Sequence, residues 1–287
     1  MRGNLELRIG ARVFSGPGPF IMGIVNATPD SFSDGGRYHA RDAAVAHAER
    51  LVAEGADLVD LGGESTRPGA TDVPASEEIE RVVPVIAALR SRGVRIPLSI
   101  DTRKPEVARA ALDAGADLVN DVAGLADPAL ARLVAERGVP VVIMHMRGTP
   151  ADMTAHAEYG DVVAEVTAEL AAALARAEAA GVRRDRVILD PGIGFAKNAA
   201  HNLALLGALP RLRALGLPLL VGPSRKRFIA AASGAPVEDR LPGTLAAVTA
   251  CVLAGVELVR VHDVAATRQA ALVAAAIRDA SGFARDP

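Results

Sequence analysis

The feature that most constrains the fold is a regular alternation between short β-rich runs and longer helical runs. After an initial segment, LELRIGARVF, eight apolar runs recur along the 287-residue chain: FIMGIVN, LVDLG, PLSID, LVNDV, PVVIMH, VILD, PLLVG and LVRVH. Amphipathic or alanine-rich stretches between them predict helices, among them residues 41–56, 76–93, 105–116 and 159–181. Several of these end in glycine just before the next run, as in EGADLV, AGADLV and AGVELV. Glycine is the expected residue just past a helix because it adopts a positive φ without strain.

Eight strand-then-helix units predict an α/β fold, a (β/α)8 TIM barrel. The first segment predicts a short N-terminal β-hairpin with Gly10 at its turn. An open doubly wound sheet is the alternative. It is disfavoured by the eightfold count and by the lack of a Gly-x-Gly-x-x-Gly turn after the first strand. Because no linker or change of composition divides the chain, we expect a single domain over residues 1–287.

Composition narrows the classes of partner. Half of the residues are hydrophobic, so the chain can bury a sizeable core. The formal net charge of −2 argues against a general nucleic-acid or membrane-surface binder. The sequence shows no secretory signal and no run of about 20 apolar residues that could span a membrane. The one cysteine, Cys251, lies in an apolar run and is expected to be a buried thiol. These features favour a cytoplasmic protein that acts on small molecules.

Polar side chains collect where the predicted strands end. In a barrel the carboxyl ends of the strands surround one mouth, which is where active sites of this fold lie. Arg260 and His262 are two residues apart, so strand periodicity points them the same way. The polar residues at these ends are Asn26, Asp60, Asp101, Asn120, Asp121, His145, Asp190, Ser224, Arg225, Lys226, Arg260 and His262.

Simpler interpretations remain open for three of these residues. Asp60 and Asp121 are as consistent with helix N-caps as with ligands, and His145 is better explained as a hydrogen-bonded core histidine. A functional interpretation is favoured for the set Asp101, Asn120, Asp190, Lys226, Arg260 and His262, because chance would have to place six such residues at one rim.

Two long loops are expected to cover the mouth. Residues 26–36 and 62–70 are rich in Gly, Ser, Thr and Pro and exceed the usual connection of about 2–6 residues. The chain has no GxxxxGK[ST] loop, no zinc-type Cys/His spacing and no GxSxG elbow. The remaining carboxylates and amides suit a flat heterocycle with donor edges, and the arginine and histidine suit a phosphate.

Seven segments together resemble the bacterial dihydropteroate synthases: IVNATPDSFSDGG, LGGESTRPGA, SIDTRKPEVA, LVNDVAG, ILDPGIGFAK, GPSRKRF and RVHDV. They occur in order from Asn26 to Val264 and so cover nearly the whole predicted barrel. The resemblance implies condensation of 6-hydroxymethyl-7,8-dihydropterin diphosphate with p-aminobenzoate, which yields 7,8-dihydropteroate and pyrophosphate in folate biosynthesis. It also implies a Mg²⁺ requirement, a homodimer and inhibition by sulfonamide drugs.

The resemblance also assigns roles to residues. It implies pterin binding by Asp101, Asn120, Asp190 and Lys226. It implies that Arg260 and His262 bind the diphosphate, with Asn26 at the metal and Thr66 as a further diphosphate contact. The p-aminobenzoate side would include Arg67, Pro68, Phe195 and Arg227. Asp34 and Arg67 would lie on closing loops, and the expected catalytic residues are Asp34, Arg67, Lys226, Arg260 and His262.

Two residues depart from the family pattern without altering these motifs. Arg103 is larger than the small residue often found there, and Arg227 takes a place that is often serine. Two alternative functions also remain at this stage. A pterin-dependent methyltransferase would share the Asp and Asn pocket but would not need STRPG, SRK or RVH, and a catalytically silent paralogue would bind a pterin or serve as a partner protein.

Overall fold

The barrel is preceded by an antiparallel hairpin, as predicted. The computed structural model describes residues 6–16, 18–28 and 36–281. Strands β1 (Glu6–Ile9) and β2 (Arg12–Ser15) pair around Gly10, which has a φ of +56°. Leu7, Ile9 and Phe14 of this hairpin pack against the apolar side chains inside the barrel. The hairpin therefore closes the amino end of the barrel and removes that apolar layer from water.

Parallel strands form a nearly closed barrel, with eight of them in the described part of the chain. They are β3 (Phe20–Asn26), β4 (Leu58–Gly62), β5 (Leu98–Asp101), β6 (Leu118–Asp121), β7 (Val141–Met144), β8 (Val187–Asp190), β9 (Leu220–Val221) and β10 (Leu258–Val261). The pairing order is β8-β7-β6-β5-β4-β3-β10-β9, and a parallel bridge from Leu189 to Leu219 joins the two ends. All eight predicted strands are confirmed.

Helices follow the barrel strands along the chain. They are α1 (Gly36–Ala53), α2 (Ala75–Ser91), α3 (Pro105–Asp113), α4 (Pro128–Arg137), α5 (Val162–Ala179), α6 (Ala199–Gly207), α7 (Leu209–Arg213), α8 (Arg227–Ser233), α9 (Leu241–Leu253) and α10 (Val264–Ser281). Gly55, Gly115 and Gly255 follow helices with φ of +96°, +112° and +80°, which confirms the predicted glycine caps. Within the described residues, no helix is both long and apolar enough to cross a membrane.

The inner face of the barrel changes from apolar to polar along each strand. Its lower layer contains Leu58, Leu118, Ile188 and Leu258, which pack with the hairpin. Because inward-facing residues of a strand recur every second position, the next inward residues are Asp60, Asn120, Asp190 and Arg260. An apolar floor thus lies directly beneath a polar ring at the carboxyl end of the strands.

Several element ends differ from the predicted ones for local reasons. The runs that start at Pro97, Pro140 and Pro218 begin pairing later, because proline has no N–H to donate and contributes only its carbonyl. The predicted helix from residue 159 begins at Val162, since the Asp161 side chain accepts hydrogen bonds from the N–H groups of Val163 and Ala164. Cys251 is fully buried, as expected.

Candidate active site

Asp190 ends strand β8 and is 5% exposed. Its Oδ1 accepts a hydrogen bond of 2.7 Å from the N–H of Gly192. Gly192 has a φ of +68°, and a Cβ there would lie 1.9 Å from the carbonyl oxygen of His145, so only glycine fits this turn. Burial raises the pKa of Asp190 to about 6, although the Gly192 N–H and the charge of Lys226 oppose the shift. The chain therefore presents a largely desolvated carboxylate at the barrel mouth.

Arg260 joins two other buried carboxylates across the barrel. Its Nε donates to Asp60 Oδ2 at 2.6 Å, and its Nη2 donates to Asp101 Oδ2 at 2.7 Å. Asn120 donates from Nδ2 to the same Asp60 oxygen at 3.0 Å. Four residues from four strands are thereby held in one hydrogen-bonded group.

Two carboxylate oxygens of this hydrogen-bonded group have no hydrogen-bond donor in the described part of the chain. Asp60 Oδ1 and Asp101 Oδ1 are buried and have no hydrogen-bond partner among the described residues. Burial raises the pKa of Asp101, with Arg260 opposing the shift and Asp60 adding to it. Because an unpaired buried carboxylate oxygen is costly, Asp101 is prepared to accept a hydrogen-bond donor from a ligand.

Lys226 brings a positive charge to the same pocket. Its Nζ lies 4.2 Å from the centre of the Phe195 ring, a cation–π contact. Burial lowers the pKa of Lys226 to about 8, while the charges of Asp190 and Asp101 oppose the shift. Phe195 is 9% exposed and packs with Met144. The structure thus brings together the predicted pterin residues and places one predicted p-aminobenzoate residue beside them.

His262 and Asn26 lie at the carboxyl ends of two paired strands of the barrel. His262 follows β10, and its Nδ1 is 2.9 Å from the hydroxyl of Ser224. Burial lowers the pKa of His262 to about 4, and the nearby charge of Arg260 adds to the shift. Asn26 is the last residue of β3, which pairs with β10. His262 is therefore neutral at pH 7, an electrostatic detail that the residue type alone did not indicate.

The other expected residues, three on the loop after β4 and one at the start of α8, form no hydrogen bond with the pocket residues among the described part of the chain. Arg67, Pro68 and Arg227 are exposed and Thr66 is half-buried. The loop after β4 is attached at Gly69, whose N–H donates to the carbonyl of Pro150, and at Glu64, which accepts from the N–H of Val73. Asp34 and most of the loop after β3, to which it belongs, lie outside the described residues.

Two residues whose interpretation was open, Asp121 and His145, have defined contacts in the structure, as does Arg103, which departs from the family pattern. Asp121 accepts hydrogen bonds from the N–H groups of Ala123 and Leu125, so it holds its own loop. His145 is buried, and its ring nitrogens are hydrogen-bonded to Glu169 and Lys197, as expected for a satisfied core histidine. Arg103 forms ion pairs with Glu64 and Asp72 near the base of the loop after β4.

The sequence did not assign Asp60 to the pocket. The sequence allowed it to be a helix N-cap, whereas its Oδ2 orients both Arg260 and Asn120. The available signal was strand periodicity, because Asp60 follows the barrel-facing Leu58 by two positions. Lys197, in the run GIGFAK, was not singled out either, although its Nζ binds the turn after Asp190.

Comparison with known proteins agrees with this geometry. A family model for pterin binding enzymes matches residues 22–262. A dihydropteroate synthase from Synechocystis sp. is 46% identical over 274 residues, which cover 94% of this chain and 94% of the relative.

Solved structures are similar over nearly the whole chain. The dihydropteroate synthase of Xanthomonas albilineans with 4-aminobenzoic acid has a TM-score of 0.90 at 49% identity, covering 96% of this chain and 99% of that chain. The same enzyme with 7,8-dihydropteroate has a TM-score of 0.86 at 47% identity, covering 95% and 98%. The chain belongs to the pterin-binding enzymes and, among them, to the dihydropteroate synthase family.

Proposed function

We propose that this barrel condenses 6-hydroxymethyl-7,8-dihydropterin diphosphate with p-aminobenzoate to form 7,8-dihydropteroate and pyrophosphate. The observation that carries the proposal is the group of buried carboxylates, Asp101 and Asp190, next to Lys226 and Arg260 at the barrel mouth. The similar dihydropteroate synthases, including the structures with 4-aminobenzoic acid and with 7,8-dihydropteroate, support the same reaction. A pterin-dependent methyltransferase is disfavoured because STRPG, SRK and RVH, which it would not need, are all present.

The carboxylates suit the pterin ring. One edge of a pterin carries a ring N–H beside an exocyclic amino group, and a carboxylate accepts both in a paired hydrogen bond. Asp190 would accept this edge, and the unpartnered Oδ1 of Asp101 would accept a further ring donor. The carboxamide of Asn120 can donate and accept, which suits the remaining edge. Analogues that lack these donors would leave the buried oxygens unpaired and would bind poorly.

The leaving diphosphate would lie toward β3 and β10. If the Ser224 hydroxyl donates to Nδ1 of neutral His262, then Nε2 carries the hydrogen and can donate to a phosphate oxygen. The hydrogen bonds of Arg260 to Asp60 and Asp101 use Nε and Nη2, so Nη1 would serve the same anion. Thr66 would add a hydroxyl once its loop closes.

The residues present are compatible with Mg²⁺ that binds together with the substrate. Among the described residues no group of three His, Cys, Asp or Glu side chains could hold a metal ion. Mg²⁺ at phosphate sites takes most ligands from phosphate and water and only one or two from the protein, and the Asn26 carboxamide oxygen could be such a ligand. When bound, the ion would neutralise charge on the departing pyrophosphate.

The reaction itself requires no protein nucleophile. The bond between the pterin methylene and the diphosphate oxygen loosens, and the electron-rich dihydropterin stabilises the cation that develops at the methylene. The amine of p-aminobenzoate attacks that carbon, a C–N bond forms and the amine loses a proton. Lys226 and Arg260 would stabilise the departing charge, and the loops that carry Asp34 and Arg67 would exclude water.

The p-aminobenzoate side is proposed to be completed by the loops. Phe195 already lies beneath Lys226, whereas Arg67, Pro68 and Arg227 are exposed. A site that is half rigid and half mobile would assemble only after the pterin diphosphate is bound. Arg103, which follows β5, forms an ion pair with Glu64 at the base of the same loop and would influence how far the loop can move.

We also propose a cytoplasmic homodimer. Leu272, Val273 and Ile277 of α10 are 57%, 56% and 53% exposed and lie on one side of the helix. Exposed apolar side chains grouped in this way are typical of protein interfaces, and a second copy of the chain is the partner that the family resemblance implies. Sedimentation velocity should give the mass of two chains, and a mass of one chain at micromolar concentration would reject the proposal.

The whole proposal is tested by incubating the purified protein with pterin diphosphate, p-aminobenzoate and Mg²⁺. Formation of 7,8-dihydropteroate and pyrophosphate, followed by liquid chromatography, is the expected result, and a chelator should abolish it. Binding of the pterin without product formation would favour the silent paralogue instead.

Replacement of Asp190 by asparagine tests pterin recognition. Asp190→Asn places an amide donor opposite ligand donors, so we expect pterin diphosphate binding to weaken by about 2–4 kcal/mol in titration calorimetry. Asp121→Asn is the matched control, because it alters a buried carboxylate that holds only its own loop. The control should lower the unfolding temperature and leave pterin affinity nearly unchanged. Equal affinity of Asp190→Asn and wild type would remove Asp190 from the site.

Alanine substitutions at Asn26 and His262 test the diphosphate assignment. Each should weaken binding of the pterin diphosphate in the presence of Mg²⁺ far more than binding of free hydroxymethylpterin, which lacks the anion. Asn26→Ala should also raise the Mg²⁺ concentration needed for half-maximal binding. Similar losses for both ligands would mean that these residues shape the pocket and do not contact phosphate.

The loop after β4 yields a prediction about the order of binding. p-Aminobenzoate alone should bind weakly, and pyrophosphate should increase the affinity of the protein for p-aminobenzoate. By linkage, p-aminobenzoate should increase the affinity for pyrophosphate by the same factor. Arg67→Ala should spare pterin diphosphate affinity but raise the KM for p-aminobenzoate and lower turnover. Arg137→Ala, an exposed arginine of α4 paired with Asp113, should change neither quantity. The proposal fails if p-aminobenzoate binds equally well with and without pyrophosphate.

A further inference from the structure

Lys197 crosses the turn that follows Asp190, although no step of the proposed reaction uses it. Its Nζ lies 2.9 Å from the carbonyl oxygen of Phe195, 3.1 Å from that of Gly192 and 3.4 Å from that of His145. It is also 2.9 Å from His145 Nδ1. An ammonium group has three N–H donors, so the surrounding acceptors can satisfy all of them.

A chain of polar contacts connects this ammonium group with the protein surface. His145 Nε2 lies 2.9 Å from Glu169 Oε2, and Arg147 pairs with both Glu169 and Glu165. Because the carboxylate of Glu169 accepts from Nε2, the hydrogen of neutral His145 belongs on Nε2. Nδ1 is then the nitrogen that accepts a hydrogen bond from Lys197. Burial lowers the pKa of His145 to about 4, in agreement with a neutral ring.

The turn that Lys197 binds has a strained backbone. It is also held by a hydrogen bond of 3.0 Å from the N–H of Phe195 to the Gly192 carbonyl and by one of 2.7 Å from the N–H of Gly194 to Asn202 Oδ1. Gly192, Gly194 and Ala196 all have positive φ, of +68°, +85° and +48°. A non-glycine residue in this region is strained unless its surroundings hold it there. Two carbonyl oxygens of the turn, those of Gly192 and Phe195, point at the same ammonium group.

Both ends of this turn belong to the substrate pocket. Asp190 begins it and accepts the N–H of Gly192, and Phe195 presents its ring to Lys226. The carbonyl of Asp190 also accepts the N–H of His145 at 2.9 Å. A change in the turn would therefore move the pterin carboxylate and the aromatic ring together.

We propose that Lys197 is a positioning residue, whose ammonium group holds the turn of residues 190–196 so that Asp190 and Phe195 face the substrates. This inference rests on the proposed function for the identity of the ligand. Diphosphate recognition should not depend on Lys197. Asn26 and His262 lie at the ends of β3 and β10, and among the described residues neither contacts Lys197. Loss of Lys197 should affect the pterin and leave pyrophosphate binding intact.

The charge on Lys197 gives the proposal a pH dependence. Burial lowers the pKa of Lys197 to about 7, with Asp190 and Glu169 opposing the shift and Arg147 and Lys226 adding to it. The ammonium form therefore predominates below about pH 7 and is lost above it. Loss of Lys197 also removes one of the charges that lower the pKa of Asp190, so Asp190 loses its charge at a higher pH in a Lys197→Met protein, which acts in the same direction. The ratio of wild-type to variant pterin affinity should accordingly fall as the pH rises from 6 to 8.

The test compares Lys197→Met with wild type by titration calorimetry. Methionine keeps most of the side-chain volume but has no donor and no charge. Binding of pterin diphosphate at pH 6.5 should weaken by about 10–100-fold, the range for lost charge-assisted hydrogen bonds. Binding of pyrophosphate with Mg²⁺ should change less than about twofold. Arg137→Ala is the control, because it removes an exposed positive charge that pairs with Asp113, and it should leave pterin affinity within about twofold.

Two further measurements keep the proposal falsifiable if Lys197→Met folds poorly or if the pterin is not the ligand. Glu169→Gln, at a 40% exposed side chain on α5, should weaken pterin binding in the same selective way but by a smaller factor. Amide hydrogen exchange without ligand should be faster at residues 192–195 in Lys197→Met or Glu169→Gln than in wild type. Unchanged exchange in a folded variant, or equal losses of pterin and pyrophosphate affinity, would overturn the role of Lys197. Failure of wild type to bind the pterin diphosphate would instead reject the proposed function, and the exchange data would still decide the role of Lys197.

Discussion

The pocket depends on the ion pairs that Arg260 forms with Asp60 and Asp101. Asp60 has no exposed surface and Asp101 only 7%, so burying these two side chains is costly unless a cation forms hydrogen bonds with them. Removing one member of such a buried group generally costs about 3–5 kcal/mol, because the remaining charge is uncompensated. The same contacts fix the direction of the Arg260 guanidinium and, through Asp60, of the Asn120 amide.

This arrangement divides the site into a rigid part and a loop part. The proposed pterin side is formed largely by residues on strand ends, whose positions follow from the barrel hydrogen bonds and from the apolar floor below. The proposed p-aminobenzoate side would rely on Arg67 and Pro68 of the loop after β4 and on Arg227 at the start of α8, all three of which are exposed. Such a division suits the proposed reaction, in which the pterin diphosphate binds before p-aminobenzoate. Water that reached the site too early would react with the proposed cation at the pterin methylene.

Much of the fold and of the pocket could be predicted because each depends on local sequence patterns. Strand periodicity and glycine caps indicated the eight barrel strands, and strand ends indicated Asp101, Asn120, Asp190 and Lys226. Asp60 was ambiguous because a carboxylate after a strand is equally typical of a helix cap. Lys197 gave no signal, since its partners are backbone carbonyls and a histidine about 50 residues away in the chain. Neither residue could be interpreted without knowing which strands are neighbours.

The sequence by itself determined the order of strands and helices, the apolar floor of the barrel and the residue types at its mouth. These follow from periodicity and from the conformational preferences of glycine and proline, which act within a few residues. Only the tertiary structure decided which charges meet, since Arg260 and Asp60 are 200 positions apart. It also decided the protonation of the site: burial makes His262 neutral and raises the pKa of Asp190. Desolvation depends on everything packed around a group, and no local stretch of sequence encodes it.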